Sequence, residues 1–264
     1  MINWAHWHNE PYLVGGLILL AWAYALATGP LRQRLAGRDV PFPRRQAWCF
    51  HTSLVLFYLA VGSPLDQIGE RFLFSAHMVQ HQILMYPSAI LFVVGLPDWL
   101  VDRYTARRGW SRIGHFITRP IPAGILYVLT QTLWHVPAMY DWALQNRLVH
   151  VIEHVTFFGT SLLYWWPLLS PSAVWPRVSY AVRMVYLIAV TIGMTPLFAF
   201  IVFSPDILYP TYEFAPRLIA GFDPADDQLL AGAIMKLGGL AVTFITFGVV
   251  FYSWYRSSER RTGS

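Results

Sequence analysis

The chain has 264 residues, of which 56% are hydrophobic and 12% are charged, and its formal net charge is +5. A soluble domain of this length needs more polar surface, so the composition indicates an α-helical membrane protein surrounded by the lipid bilayer. The positive charge does not indicate a nucleic-acid partner, because the arginines lie between apolar runs rather than along one face of a soluble fold. The single cysteine, Cys49, excludes an intrachain disulfide framework and a CxxC thiolate site.

Seven apolar runs are candidates for membrane-spanning helices, each of which needs about 20 residues. They are Tyr12–Ala27, Ala47–Val61, Phe72–Leu96, Ile121–Val136, Leu148–Leu169, Tyr180–Phe203 and Leu229–Tyr255. The second and fourth runs are shorter than a usual span, so we expect their ends to differ most from the real helix ends. We predict an all-α fold in which residues 1–264 form a single domain, a bundle of seven transmembrane helices.

The positions of the basic residues predict how this bundle lies in the membrane. Most of the 19 lysines and arginines fall between the first and second, third and fourth, and fifth and sixth runs, or after the last run. By the positive-inside rule that side is cytoplasmic, so we expect a multi-pass protein of the inner (plasma) membrane with its amino terminus outside and its carboxyl terminus in the cytoplasm. No basic segment precedes the first run, so no cleaved signal peptide is expected. The outer connections contain many Asp and Glu residues, which we expect to form a solvated acidic rim.

Two prolines interrupt the predicted spans. Pro87 has no N–H to donate to the carbonyl of Ile83. Pro196 likewise leaves the carbonyl of Ile192 without its helical partner, so both helices are expected to bend. The bend at Pro87 is a candidate for the floor of a cavity below His81.

The histidines are the strongest functional signal in the sequence. The third and fifth runs each carry a pair of histidines four residues apart, which places both rings of a pair on one helix face. A further histidine ends the fourth run, and all of these positions fall in the predicted outer half of the membrane. They are His77, His81, His135, His150 and His154. Imidazole binds copper, zinc and iron, and polar side chains within a bilayer usually have a function. The sequence therefore predicts a metal site, with mutual polar packing as the alternative.

Thioethers and carboxylates near these histidines are candidate auxiliary groups. They are Met78, Met85, Met139, Glu153 and Asp227. Imidazole and thioether without thiolate favour Cu(I) over zinc, although a single methionine is more often an apolar packing residue. Glu153 has two candidate partners, either an adjacent ligating imidazole that it would orient or Lys236 in the last run.

The remaining histidines give weaker signals. His6 and His8 lie in the predicted outer amino-terminal segment, where they are candidates for capturing a metal ion. His51, like Cys49, begins the second run on the predicted cytoplasmic side, and His115 lies in a basic cytoplasmic connection. We place none of these residues in the main site.

Three stretches of the chain combine the clustered histidines with their flanking residues, and a fourth begins at Asp227. They are HMVQHQILM (His77–Met85) followed by Pro87 and LFVVGLP, WHVPAMYDWAL (Trp134–Leu144), HVIEHVTFFGTSLLYWWP (His150–Pro167) and DQLLAGAIMKLGG (Asp227–Gly239). Together they resemble the signature of the CtaG-type cytochrome c oxidase assembly factors, which are seven-helix membrane proteins. The resemblance implies a role in maturing a haem-copper oxidase by helping copper reach it. It also implies cytochrome c oxidase subunits as partners and an outer-side protein as copper donor, and it points to the five clustered histidines and Asp227.

We therefore predict a copper metallochaperone for cytochrome c oxidase assembly, and not an enzyme. The copper ion, as Cu(I), would be held by the clustered imidazoles and passed on by ligand exchange. The first alternative is a zinc-dependent intramembrane hydrolase in which Glu153 or Asp227 is the general base. The second is a haem-binding electron carrier with one axial histidine from each of two helices.

Overall fold

The computed structural model describes residues 7–106 and 108–262. Within these ranges the chain forms helices joined by short connections and contains no strand. The helices are α1 (Pro11–Thr28), α2 (Arg32–Ala36), α3 (Arg44–Gly62), α4 (Pro64–Arg71), α5 (Phe74–Ile83), α6 (Ala89–Val94), α7 (Asp98–Thr105), α8 (Arg108–Ile117), α9 (Pro120–Trp134), α10 (Pro137–Gln145), α11 (Arg147–Leu169), α12 (Tyr180–Gly193), α13 (Thr195–Val202), α14 (Pro210–Glu213) and α15 (Pro224–Thr262), with a π-helical turn at Leu84–Ser88. Each predicted run coincides with one helix or with consecutive helices, so the all-α prediction is confirmed.

Some of these helices are long and apolar enough to cross a membrane. In the described part of the chain they are α1, the segment Tyr180–Val202 and the segment Pro224–Arg260. Two bent pairs raise the number from three to five if each pair is one span, namely α3 with α4 at 42° and Phe74–Val94 with α7 at 92°. Helix α9 is short, with 15 residues, and α11 contains Arg147 and Glu153 among its first turns. The helices thus support a membrane protein, while seven spans and their orientation stay predictions.

The two prolines shape their helices in different ways. Pro87 lies in the π-helical turn between α5 and α6, and the 92° change of direction comes only after Val94, before α7. Nε1–H of Trp165 on α11 donates to the carbonyl of Met85 at 2.9 Å, which ties this turn to the neighbouring helix. Near Pro196 the helix is interrupted, because α12 ends at Gly193 and α13 begins two residues later.

The helices that carry the paired histidines lie inside the bundle. Helix α5 packs against α3, α4 and α15, and α11 packs against α6, α9 and α10. Glycine allows one of these close approaches, because a Cβ atom at Gly69 on α4 would lie only 3.0 Å from Cα of His77. Since lipid is as apolar as the side chains, close packing and hydrogen bonds between helices hold such a bundle together.

Two apolar clusters enclose the space between these helices. The larger contains Met85, Phe157 and Trp165 from the π-helical turn and α11. The second contains Phe74 and Tyr140 together with residues of α13 to α15. The histidines lie beside both clusters, because the His81 ring is 4.3 Å from the Phe157 ring and the His77 ring is 5.2 Å from the Tyr140 ring, measured between centroids.

Candidate metal site

The histidine pair of α5 is fully buried. One helical turn separates His77 from His81, and their Nε2 atoms approach to 2.8 Å. A neutral imidazole has one N–H, so one ring donates to the other and at least one lone pair points into this contact. Nδ1 of both rings is buried and has no hydrogen-bond partner among the residues that the structure describes.

His135 has a defined orientation and an available nitrogen. It follows the last residue of α9, where its Nδ1 lies 2.7 Å from the carbonyl oxygen of Gln131. A carbonyl only accepts hydrogen bonds, so Nδ1 carries the proton and Nε2 keeps its lone pair. That Nε2 is buried without a partner in the described part of the chain. The ring centroid lies 6.2 Å from that of His81, and hydrogen bonding of the other ring nitrogen in this way is typical of metal-ligating histidines.

The second histidine pair lies in the first turns of α11. Asn146 caps this helix, because its side-chain oxygen accepts from the N–H groups of Leu148 and Val149. The cap fixes the start of α11 just before His150 and His154, whose ring centroids are 4.3 Å apart. The His154 ring lies 5.7 Å from the His81 ring, so the two helices bring the pairs together.

Glu153 lies among the histidines rather than beside Lys236. Its carboxylate oxygens are 3.9 Å from Nε2 of His81 and 3.9 Å from Nε2 of His150. Both oxygens are buried and lack a hydrogen-bond partner within the described ranges. Lys236 instead donates to the Thr195 hydroxyl at 2.8 Å. A buried carboxylate without partners is energetically unfavourable, and a cation beside it removes that penalty.

Among the residues that the structure describes, two groups of side chains have ligand atoms close enough to hold one metal ion. The core group consists of His77, His81, Glu153 and His154. The cavity group consists of Asp66, His150 and His154. In each group the ligand atoms lie within 4.8 Å of one another, and every member is buried. His154 belongs to both groups, whereas His135 belongs to neither and lies beside the core group.

The side chain of Asp227, a residue of α15, contacts the start of α5 and belongs to neither metal group. Its two carboxylate oxygens accept from the backbone N–H groups of Phe74 at 2.6 Å and Ser75 at 3.0 Å. A carboxylate at a helix N-terminus satisfies unpaired N–H groups and interacts favourably with the helix dipole. Asp227 on α15 therefore fastens the helix that carries His77, which is a positioning contact rather than a ligand geometry.

The three candidate methionines lie in apolar surroundings. Met78 belongs to the cluster around Phe74, and Met85 and Met139 lie in or against the larger cluster. The sulfur of Met85 accepts a hydrogen bond from the Tyr127 hydroxyl at 3.6 Å. The groups that the structure brings together are thus imidazoles and carboxylates.

Helix α4 supplies two functional candidates that hydropathy assigns to a solvated rim. Asp66 is 2% exposed, and it accepts a hydrogen bond from the side-chain amide of Gln80 on α5. Glu70 lies 2.7 Å from Nδ1 of His150. The acidic-rim expectation is wrong for Asp66, because α4 folds back against α5. In the sequence, the spacing of four residues between Asp66 and Glu70 places both carboxylates on one helix face, although it does not report their burial.

The amino-terminal segment also contacts this region. Nδ1 of His8 lies 2.8 Å from the Asp66 carboxylate, which accepts a hydrogen bond from the ring and so raises the pKa of His8. His6 lies outside the described residues. His51 donates to the carbonyl of its own helix at Ala47, and Cys49, half-buried on the same helix α3, belongs to neither metal group.

A cavity of about 650 Å³ adjoins the cavity group. Residues of the amino-terminal segment, α1, α4 and α11 line it, among them His8, Glu10, Asp66, Glu70, His150 and His154. His77, His81 and Glu153 do not line this space. The cavity group therefore lies between the cavity and the core group.

Comparison with known proteins identifies the family. The sequence model of the cytochrome c oxidase caa3 assembly factors matches residues 22–257, which include both metal groups. Two uncharacterized proteins, from Mycobacterium bovis and Mycobacterium tuberculosis, are each 25% identical over 199 residues. Each alignment covers 70% of this chain but 29% of the relative, so the chain spans less than a third of these relatives. No solved structure matches the chain.

Proposed function

The chain belongs to the cytochrome c oxidase caa3 assembly factor family, and from this membership we propose that it binds copper in the core group and passes it to a haem-copper oxidase during assembly. A cytochrome c oxidase subunit is the proposed recipient, and an outer-side protein is the proposed donor. Copper is the cargo here, so no bond of an organic substrate is broken.

The observation that carries this proposal is the set of unpaired ligand atoms at the core group. Both oxygens of Glu153 and Nε2 of His154 are buried without hydrogen-bond partners in the described residues. Leaving one buried polar group unpaired costs about 1–3 kcal/mol, and more when the group is charged. Polar packing alone, the competing explanation, leaves these costs in place, whereas a bound cation removes them.

The chemistry of the core group supports copper as the ion. Three imidazoles and one carboxylate are ligands that suit copper, zinc and iron, and the family's place in oxidase assembly selects copper among these. We propose Cu(I) on grounds of charge, because a monovalent ion beside the Glu153 carboxylate gives a neutral site. A divalent ion would leave a net charge in buried surroundings, which is unfavourable. This reason for Cu(I) is independent of thioether ligation.

The surrounding contacts prepare the imidazoles for binding and release. The hydrogen bond from His135 to Gln131 keeps its Nε2 free toward the histidine cluster, and Asp227 fixes the start of α5 one turn before His77. A transfer protein must hold its ion and still give it up, which favours ligands that exchange over a closed cage. We propose that release occurs by stepwise replacement of imidazoles by ligands of the recipient.

A zinc-dependent hydrolase is the second candidate, and the position of Glu153 favours it. A carboxylate 3.9 Å from imidazole nitrogens suits a general base beside a metal-bound water. This candidate requires zinc in the purified protein and turnover of a lipid or peptide. Haem ligation has no comparable observation in its favour.

Metal analysis of the purified full-length protein tests the proposal. The protein is loaded with Cu(I), challenged with a strong Cu(I) chelator and analysed for copper, zinc, iron and haem. We expect the wild type to retain copper and the double variant His77→Ala/His81→Ala to lose it. The matched control His51→Ala/His115→Ala changes two histidines outside the site and should retain copper. Equal retention by both double variants, or none by the wild type, contradicts the proposal, and zinc with hydrolytic turnover supports the second candidate.

A further inference from the structure

The cavity group has the features of a metal site in its own right. Asp66 on α4 and His150 and His154 on α11 place their ligand atoms within 4.8 Å of one another. Nε2 of His150 and Nε2 of His154 are buried and unpaired in the part of the chain that the structure describes. His150 is 7% exposed and His154 is 6% exposed, so bulk water does not satisfy these nitrogens.

Neighbouring residues hold the ligands of this group in a binding-competent state. Glu70 lies 2.7 Å from Nδ1 of His150 and, as a carboxylate, accepts a hydrogen bond from it, so the neutral ring has its lone pair on Nε2. The Asp66 oxygens accept from the Gln80 amide and from His8. Each carboxylate oxygen has two lone pairs, so Asp66 can keep these hydrogen bonds and still bind a cation.

The positions of the two groups give them an order. Asp66, His150 and His154 line the cavity of about 650 Å³, whereas His77 and His81 lie behind them and do not. A cation that arrives through the cavity meets the cavity group first. His154 belongs to both groups, so it can stay bound while the remaining ligands are exchanged.

We infer that the protein carries two copper-binding sites in series, in which the cavity group loads the ion from the cavity and the core group stores it, with His154 as the shared ligand. This inference rests on the proposed function and adds a route to it. The transfer is a ligand exchange in which Asp66 and His150 leave the ion as His77, His81 and Glu153 bind it, with no change of oxidation state. Because the two sites share one imidazole, they are filled one at a time.

The test separates loading from storage by blocking each group. Asp66→Asn is introduced into the full-length wild type and into His77→Ala/His81→Ala, in which the core group is blocked. Glu10→Gln is the matched control, because Glu10 lines the same cavity and belongs to neither group. Cu(I) is supplied as a bicinchoninate complex, a weak competitor, and retention is then measured against a strong chelator. His150→Gln repeats the test with a second ligand, and size-exclusion elution checks that each variant is folded.

The expected results differ between the two backgrounds. With the core group blocked, the protein should still take up copper from the weak competitor, and Asp66→Asn should reduce this affinity about tenfold or more. In the wild-type background Asp66→Asn should slow loading yet leave retention against the strong chelator within about twofold. Glu10→Gln should change neither quantity.

Three results overturn the inference. The first is residual binding in the core-blocked protein that Asp66→Asn and His150→Gln leave unchanged. The second is no residual binding in the core-blocked protein although the wild type retains copper, which would show one site only and leave the proposed function standing. The third is loss of tightly held copper on Asp66→Asn in the wild type, which would show that the two groups form a single site. Absence of copper from the wild type itself would instead refute the proposed function, and the inference with it.

Discussion

The two histidine pairs share one spacing and differ in their surroundings. His77 and His81 on α5 contact each other at 2.8 Å and are enclosed by apolar clusters. His150 on α11 contacts Glu70 and lines the cavity. His154 also lines the cavity and belongs to both the core group and the cavity group. The spacing of four residues places each pair on one helix face, but the neighbouring elements decide what each pair contacts. In our account the α5 pair therefore stores the ion and the α11 pair connects it to the cavity.

The largest expected effect separates the two pairs directly. His81→Gln should lower copper affinity about 100-fold or more, since it removes a storage ligand, whereas His150→Gln, like Asp66→Asn, should change it by about twofold or less. Both variants replace imidazole with a polar side chain of similar size, so each serves as the control for the other. Affinity is measured by competition with a Cu(I) chelator. Equal losses would show that the pairs form one undivided site.

The next effect concerns how α5 is held in place. Asp227→Ala removes the acceptor for the N–H groups of Phe74 and Ser75, and it should lower the free energy of unfolding by about 2 kcal/mol, typical for a buried hydrogen-bonded charge. Thermal unfolding in detergent measures the change. Asp226→Ala alters the exposed neighbouring carboxylate and should change stability by less than about 0.5 kcal/mol. Equal effects of the two substitutions would show that Asp227 does not stabilise the position of α5 and its histidine pair.

The smallest effect tests the contact between the amino-terminal segment and the cavity group. The Asp66 carboxylate accepts a hydrogen bond from His8 and raises the pKa of that imidazole above its ordinary 6.5. The stabilisation is therefore complete below about pH 6.5 as long as Asp66 is ionised, and it is lost as the pH rises through the raised pKa of His8. We expect the metal-free wild type to be more stable than His8→Gln by less than about 1 kcal/mol at mildly acidic pH, with the difference shrinking as the pH rises. A difference independent of pH would show that only packing is involved.

The helices and the convergence of the histidines could be predicted from the sequence. Apolar runs predicted the helices because hydrocarbon requires long apolar segments with internally paired backbones. Two HxxxH pairs predicted two polar helix faces because helical periodicity is fixed. Of the predicted ligands, the structure places His77, His81 and His154 in the core group and His150 in the cavity group. These placements agree with the predicted convergence, and metal binding itself stays a prediction.

Other features depend on how the helices rotate and pack, which hydropathy does not report. Met78 and Met85 share the sequence neighbourhood of the histidines, yet their side chains lie in apolar clusters. Asp66 is polar and falls in a connection between apolar runs, so only the packing of α4 against α5 reveals its burial. The number of spans depends on whether α3 and α4, which meet at a bend of 42°, form one span.

Copper K-edge X-ray absorption on the purified, Cu(I)-loaded full-length protein tests the central claim most directly. We predict nitrogen and oxygen donors with the multiple-scattering signature of imidazole, no sulfur donor, and loss of that signature in His77→Ala/His81→Ala. A spectrum dominated by thioether sulfur, or an imidazole signature unchanged in the double variant, would contradict copper storage by the α5 pair.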